Sequence, residues 1–341
     1  MADEMRWFDI REWGVEGKGW TDTHCAYDRL PRKAEQMVPE AVWNLSRTAT
    51  GMCVHFTTNA TAIHARWVLR SPQLGEANFA VCGFSGLDLY ADDNGTWRWA
   101  GATQNVGSQT PCVCLVNGMA GALRKYRLYL PLRNPVDRVE IGVPAGSVFE
   151  PVAPRTERPL VFYGTSIVHG AYASHSGLVH SEILGRRLNR PTINLGFSGT
   201  ARMELALADL LAELDAAVYI VDTLPNMDMS LVTERAEAFV RRLRGHRPTT
   251  PIVLVEDRPL VNYWIKPAEK RYQENKWREF RRIHDMLVAS GIGGLSYIEG
   301  RDLFGTDSEA SLDSSHPSDL GFMRMADCLE PVLRGVLAGV A

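Results

Sequence analysis

Long apolar runs are missing from the 341-residue sequence. A bilayer-spanning helix needs about 20 consecutive apolar residues, so none is expected. Neither charge is in excess: Lys+Arg number 37 against Asp+Glu 40, a formal net charge of -3, and no run of Lys or Arg occurs. That excludes the basic signature of a nucleic-acid or anionic-membrane partner. The start, Met1-Ala-Asp-Glu-Met-Arg-Trp7, carries acids early and lacks the basic n-region and apolar core of a secretory signal, so a cytoplasmic location is expected. Cysteines are few (Cys25, Cys53, Cys82, Cys112, Cys114 and Cys328). The closest two, Cys112 and Cys114, do not have a zinc spacing, and reduced thiols are expected throughout. No two histidines are spaced as a zinc motif on a helix. Phosphate-loop and dinucleotide glycine fingerprints are absent too, so neither metal nor cofactor is implied. Repeats and low-complexity segments are also lacking.

What is present changes character near residue 150. Before it, short alternating or apolar segments sit between turn residues, among them Ala62-Ile-His-Ala-Arg-Trp-Val-Leu69, Gly86-Leu-Asp-Leu-Tyr-Ala91 and Arg124-Lys-Tyr-Arg-Leu-Tyr-Leu130. Asp92-Asp-Asn-Gly95 between two such segments is a hairpin signal. Many short strands joined by turns predict an all-β sandwich of jelly-roll type over 1–150, with one short helix near Glu40–Ser46. The proline- and charge-rich stretch from Glu150 to Pro159 reads as a linker, assigned to 151–159. From 160 to 341 apolar strands (Leu160-Val-Phe-Tyr163, Thr192-Ile-Asn-Leu195, Ala217-Val-Tyr-Ile-Val-Asp222, Pro251-Ile-Val-Leu-Val-Glu256, Ser296-Tyr-Ile298) alternate with amphipathic helical segments (177–188, 203–214, 233–244, 271–290, 320–337). That alternation predicts a parallel sheet with helices on both faces.

Ligands of such sheets bind beyond the carboxyl ends of the strands, so the residues after each strand carry the functional argument. The first strand is followed by Gly164-Thr-Ser166, a serine at a strand-to-helix turn beside free backbone N–H groups. The second is followed by Gly196-Phe-Ser-Gly199, where glycine lets backbone approach a substrate. Asp222-Thr-Leu-Pro-Asn226 follows the third, and an asparagine amide is a good oxyanion donor. Just before the last helix comes Asp313-Ser-Ser-His316, in which the carboxylate can orient the imidazole and the imidazole can take a serine proton. Taken singly, each also reads as a helix cap or a turn. Together they fall on one sheet edge.

That order resembles the SGNH/GDSL hydrolase family over roughly residues 159–341. Gly164-Thr-Ser166 stands where the family has Gly-Asp-Ser, Asn194-Leu-Gly-Phe-Ser-Gly199 resembles its second motif, and Asp313-x-x-His316 its last. The resemblance implies a flavodoxin-like α/β/α domain with Ser166 as nucleophile, His316 as base and Asp313 orienting it. The oxyanion hole would be formed by the N–H groups of Ser166 and Gly199 with the side chain of Asn226. Two departures stand out. Thr165 replaces the usual aspartate, and the third motif reads Leu-Pro-Asn226-Met, leaving Asp222, Thr223 and Asn194 as substitutes for Asn226.

The front half is similar to the β-sandwich of a bacterial branch of that family, on residues such as Phe84-Ser-Gly-Leu-Asp-Leu-Tyr-Ala-Asp92. This similarity implies an esterase that removes O-acetyl groups from small-molecule or oligosaccharide substrates. The alternatives are an esterase or thioesterase for another acyl group, and a carbohydrate-binding protein with an inactive triad. His169 and Tyr172, close behind Ser166, and Tyr263 and Trp264, with Asn262 and Lys266 on a long loop, are candidates to line the substrate site. A surface loop accounts for the last four equally well.

Overall fold

The computed structural model describes residues 4–339. These form two compact units. The first takes the described residues up to Pro31, Arg47–Thr156 and the short segment Ala173–Gly177. The second takes Arg32–Ser46, Glu157–Tyr172 and the described residues from Leu178 onward.

The first unit is built from nine strands: β1 Met5–Asp9, β2 Cys53–Thr58, β3 Ile63–Leu69, β4 Asp88–Asp93, β5 Thr96–Ala102, β6 Cys112–Val116, β7 Arg124–Tyr129, β8 Val136–Pro144 and β9 Phe149–Val152. They pair antiparallel into two sheets of order β1-β8-β3-β6 and β5-β4-β7-β2-β9. Successive strand side chains point to opposite faces, so each strand gives the core alternate residues. Val54 and Phe56 of β2, Leu89 of β4 and Leu128 of β7 meet Ala65 and Trp67 of β3 and Val139 and Ile141 of β8 in one buried cluster. Two sheets around one core make the expected sandwich. The stretch read as a linker opens differently: β9 reaches Val152 and pairs with β2, and Arg155 is ion-paired to buried Glu16 at 2.6 Å. Proline is tolerated there because β9 is an edge strand.

The second unit has strands β10 Leu160–Gly164, β11 Thr192–Gly196, β12 Val218–Asp222, β13 Ile252–Val255 and β14 Leu295–Ile298. All pair parallel, in the order β11-β10-β12-β13-β14, the flavodoxin-like arrangement. Every residue of β10, β11, β12 and β13 is buried, as a sheet covered on both faces requires. The helices are α1 Glu40–Leu45, α3 His180–Arg187, α4 Leu205–Leu211, α5 Met229–His246, α6 Pro267–Ala289 and α7 Asp319–Ala338; the short α2 Val81–Ser85 belongs to the first unit. The apolar stripes are helical in period: Val232, Ala236, Phe239, Val240 and Leu243 on α5, and Phe280, Ile283 and Leu287 on α6. Asp228 and Ser318 cap α5 and α7 by accepting from Leu231 N and Gly321 N. Among the described residues no helix is long and apolar enough to cross a membrane.

Candidate active site

The chain turns sharply as β10 ends. Gly164 is required there by space: a Cβ would lie 2.4 Å from Val168 Cγ2 and 2.5 Å from the carbonyl oxygen of Asp222. The turn is closed by His169 N donating to Thr165 O (2.9 Å) and Ala171 N to Ser166 O (2.8 Å). Ser166 is left half-buried at the strand's carboxyl end. Its Oγ lies 2.9 Å from Nε2 of His316, and Nδ1 of the same ring lies 2.7 Å from Oδ2 of Asp313. The other carboxylate oxygen of Asp313 accepts from the N–H groups of Ser315 (3.0 Å) and His316 (2.8 Å), so one aspartate fixes both the turn and the ring. Partial burial pushes the Asp313 carboxyl up, but those N–H groups and the His316 ring outweigh it and hold it below the usual carboxylate range.

This turn is strained and is held from outside. Ser314 has φ +80°, a conformation that costs a non-glycine residue on the order of 1–3 kcal/mol. Val261 N donates to Ser314 O at 3.0 Å, and Ser314 Oγ to Asn262 Oδ1 at 2.6 Å. Arg258, 4% exposed, donates from Nε to Ser315 O (2.8 Å) and from Nη2 to Ser315 Oγ (3.0 Å). Asp222, Asp257 and Asp313 all act on its charge. Burial pushes the Asp222 carboxyl up to about 7, against the pull of the Arg258 cation. Tyr172, also at positive φ (72°), sets its ring edge-on against His316 with centroids 4.9 Å apart.

Two backbone amides at the ends of the first two strands of this sheet are unsatisfied: among the described residues neither Ser166 N nor Gly199 N has a hydrogen-bond acceptor. Gly199 has φ +70° with open space around its Cβ position, so glycine is needed for conformation and not for clearance. Nδ2 of half-buried Asn226 donates to Thr200 O, beside Gly199. The substitutes for Asn226, namely Asn194, Asp222 and Thr223, are buried, and the Asn194 amide donates to Val168 O and Ser181 Oγ. A hydroxyl, an imidazole and a carboxylate linked in series is the arrangement on which acyl transfer can be built.

Residues 157–334 match the model of the GDSL-like lipase/acylhydrolase family. The chain belongs to that family, and it is a serine ester hydrolase. Residues 5–149 match the model of the N-terminal region of SGNH-hydrolase-type esterases. No protein of curated function matches it in sequence. Among solved structures, a GDSL-like lipase described as putative, from Bacteroides ovatus, is 29% identical over 98% of both chains, with a TM-score of 0.92. A salicylyl acyltransferase from a tetracycline biosynthetic pathway is 18% identical over 98% of both chains (TM-score 0.75). A family two carbohydrate esterase from Cellvibrio japonicus is 13% identical over 99% of this chain and 100% of its own (TM-score 0.59). The last two share the fold.

The other residues of this esterase singled out in its sequence are placed as follows. His169 is fully buried, with Nδ1 3.2 Å from Ser198 Oγ, whereas Tyr172 lies against the candidate base. Tyr263 lines a charged groove of about 830 Å³ along α6 with Trp277, Arg278 and Arg281. Trp264 is 71% exposed. A separate cavity of about 440 Å³ is lined by Pro225 and Ser315, the neighbours of Asn226 and His316, together with Arg258, Leu260 and Tyr272. Arg258 is not singled out by the sequence, where 258–272 reads as a long loop after the fourth strand of the hydrolase half.

Proposed function

We propose that this esterase removes acetyl groups from O-acetylated carbohydrates through an acyl-enzyme on Ser166. The observation that carries the catalytic part is the unbroken relay from Ser166 Oγ through His316 to Asp313, at 2.9 and 2.7 Å. His316 takes the proton as Ser166 attacks the ester carbonyl, and the developing oxyanion receives the N–H groups of Ser166 and Gly199 and the Asn226 amide. Collapse of the tetrahedral intermediate passes that proton to the leaving sugar hydroxyl. Water, deprotonated by His316, then attacks the acetyl-enzyme and releases acetate.

The carbohydrate part rests on architecture: a sheet sandwich preceding the hydrolase fold is shared with the family two carbohydrate esterases. The salicylyl acyltransferase shares it as well, which favours a second reading in which the acyl group passes from Ser166 to an acceptor other than water. The two are separated by supplying acetylated oligosaccharides and nitrophenyl esters of increasing chain length, with and without added alcohol acceptors. Free acetate from the sugar esters is expected. Fast turnover of C8 esters with none of acetylated sugars, or product esters exceeding free acid, overturns the carbohydrate reading.

A further inference from the structure

In the first unit Asp88 is fully buried at the start of β4. Burying a carboxylate is costly unless donors surround it, and it has them. Oδ2 accepts from Gly177 N at 2.7 Å and lies 2.6 Å from His175 Nδ1, while Oδ1 accepts from Trp99 Nε1 at 3.0 Å. The carboxylate thus locks two rings by their polar edges. With Nδ1 directed at Asp88, Nε2 of a neutral His175 presents a lone pair, and among the described residues it makes no hydrogen bond. Trp99 is 55% exposed although its indole N–H is already satisfied. Its ring centroid is 6.0 Å from that of His175, with 36° between the planes.

The strand register shows how Trp99 reaches this face. Asp88 pairs with Ala102 and Leu89 with Gly101, but Tyr90 pairs with Trp99, so Ala100 is an extra residue in β5. Without this bulge Trp99 would face the way Leu89 does, into the sandwich core, because a one-residue shift moves every side chain to the other face. The bulge turns Trp99 out beside Asp88, and Trp97, two residues earlier, shares the face with its ring beneath the Arg127 guanidinium (4.5 Å). A large exposed ring that is rigidly held, beside a single oriented acceptor, is the composition of a ligand site and not of ordinary surface. Fixing both rings beforehand removes ordering cost from binding.

We propose that Asp88, Trp99 and His175 form a saccharide-binding platform on the first unit: the apolar face of a sugar ring stacks on the Trp99 indole, and a sugar hydroxyl donates to Nε2 of His175. The ligand class rests on the carbohydrate reading above.

The test is titration of acetylated xylo- and cello-oligosaccharides into the full-length Ser166→Ala protein, followed by calorimetry and tryptophan fluorescence. Adding Trp99→Ala or His175→Ala is expected to weaken binding tenfold or more, while Trp99→Phe retains most of it and far-UV circular dichroism reports the fold. Unchanged affinity in folded Trp99→Ala and His175→Ala variants overturns the platform, as does a Ser166→Ala parent that binds none of the oligosaccharides. If wild-type enzyme hydrolyses acetylated sugars while that parent binds none, the platform falls and the function stands. If no acetylated sugar is hydrolysed but binding is seen and is lost with Trp99, the function falls and the platform stands.

Discussion

Arg258 holds Ser315 by both its backbone and its side chain, through Nε to the carbonyl (2.8 Å) and Nη2 to the hydroxyl (3.0 Å). Ser315 lies between the two residues of the relay. The guanidinium therefore braces the Asp313–His316 turn, and among the described residues it hydrogen-bonds to neither Ser166 nor His316.

Arg258→Met is expected to lower kcat by roughly 10–100-fold with KM little changed, since a small displacement of a catalytic group costs about that much. It should also destabilise the fold by about 1–3 kcal/mol, because the carbonyl and hydroxyl of Ser315 lose their buried donor. Arg258→Lys keeps the charge but not the fork, and is expected to recover stability more than kcat. Steady-state kinetics with denaturant unfolding separate the two effects. A folded Arg258→Met with wild-type kcat would remove the positioning role.

The hydrolase half was legible because its strands are buried on both faces and read as continuous apolar runs, each ending in a turn with chemically distinctive residues. Ser166, Gly199, Asn226, Asp313 and His316 were singled out by what they follow; the structure joins Ser166, His316 and Asp313 by hydrogen bonds and Asn226 to Thr200, beside Gly199. Arg258 was not legible: Ser315, which it holds, and Asp222 and Asp313, which act on its charge, come from distant parts of the chain. The aromatic residues Tyr263 and Trp264 illustrate the converse. A ring in a long loop looks the same in sequence whether it lines a cavity or faces solvent. The exchange of short segments between units, 32–46 and 173–177, has no periodic signal at all, since segments that short carry too few apolar positions to show which core they join.

Asn226→Ala tests the oxyanion site. Removing one preorganised donor typically costs 10²–10³ in kcat, about 3–4 kcal/mol. That loss is expected here with KM nearly constant, measured on nitrophenyl acetate. A loss under threefold would mean that Asn226 only braces Thr200.

His180 gives a pH-dependent prediction. Its ring is fully buried between Phe162 and Phe322, and among the described residues neither nitrogen has a partner. Burial, aided by the Arg258 charge, pushes it down to about 3. In the unfolded chain the imidazole takes a proton near its ordinary value of about 6.5, while the folded protein resists until about pH 3. The unfolded state thus binds more protons across that window, and stability falls as pH falls from about 6.5 toward 3. His180→Phe removes both the unpartnered nitrogens and this titration. Its gain in melting temperature over wild type should be larger at pH 5 than at pH 8. Equal shifts at the two pH values would show that His180 takes its proton as readily in the folded protein as in the unfolded chain.

The proposed mechanism requires that Ser166 carries the acyl group. Incubation with a nitrophenyl phosphonate, followed by intact-mass and peptide mass spectrometry, tests it most directly. One phosphonyl group per chain, located on Ser166 and accumulating in step with loss of esterase activity, is predicted, and Ser166→Ala should be unlabelled and slower by several orders of magnitude. Stoichiometric labelling at another residue, or a Ser166→Ala variant that hydrolyses acetyl esters at the wild-type rate, would contradict it.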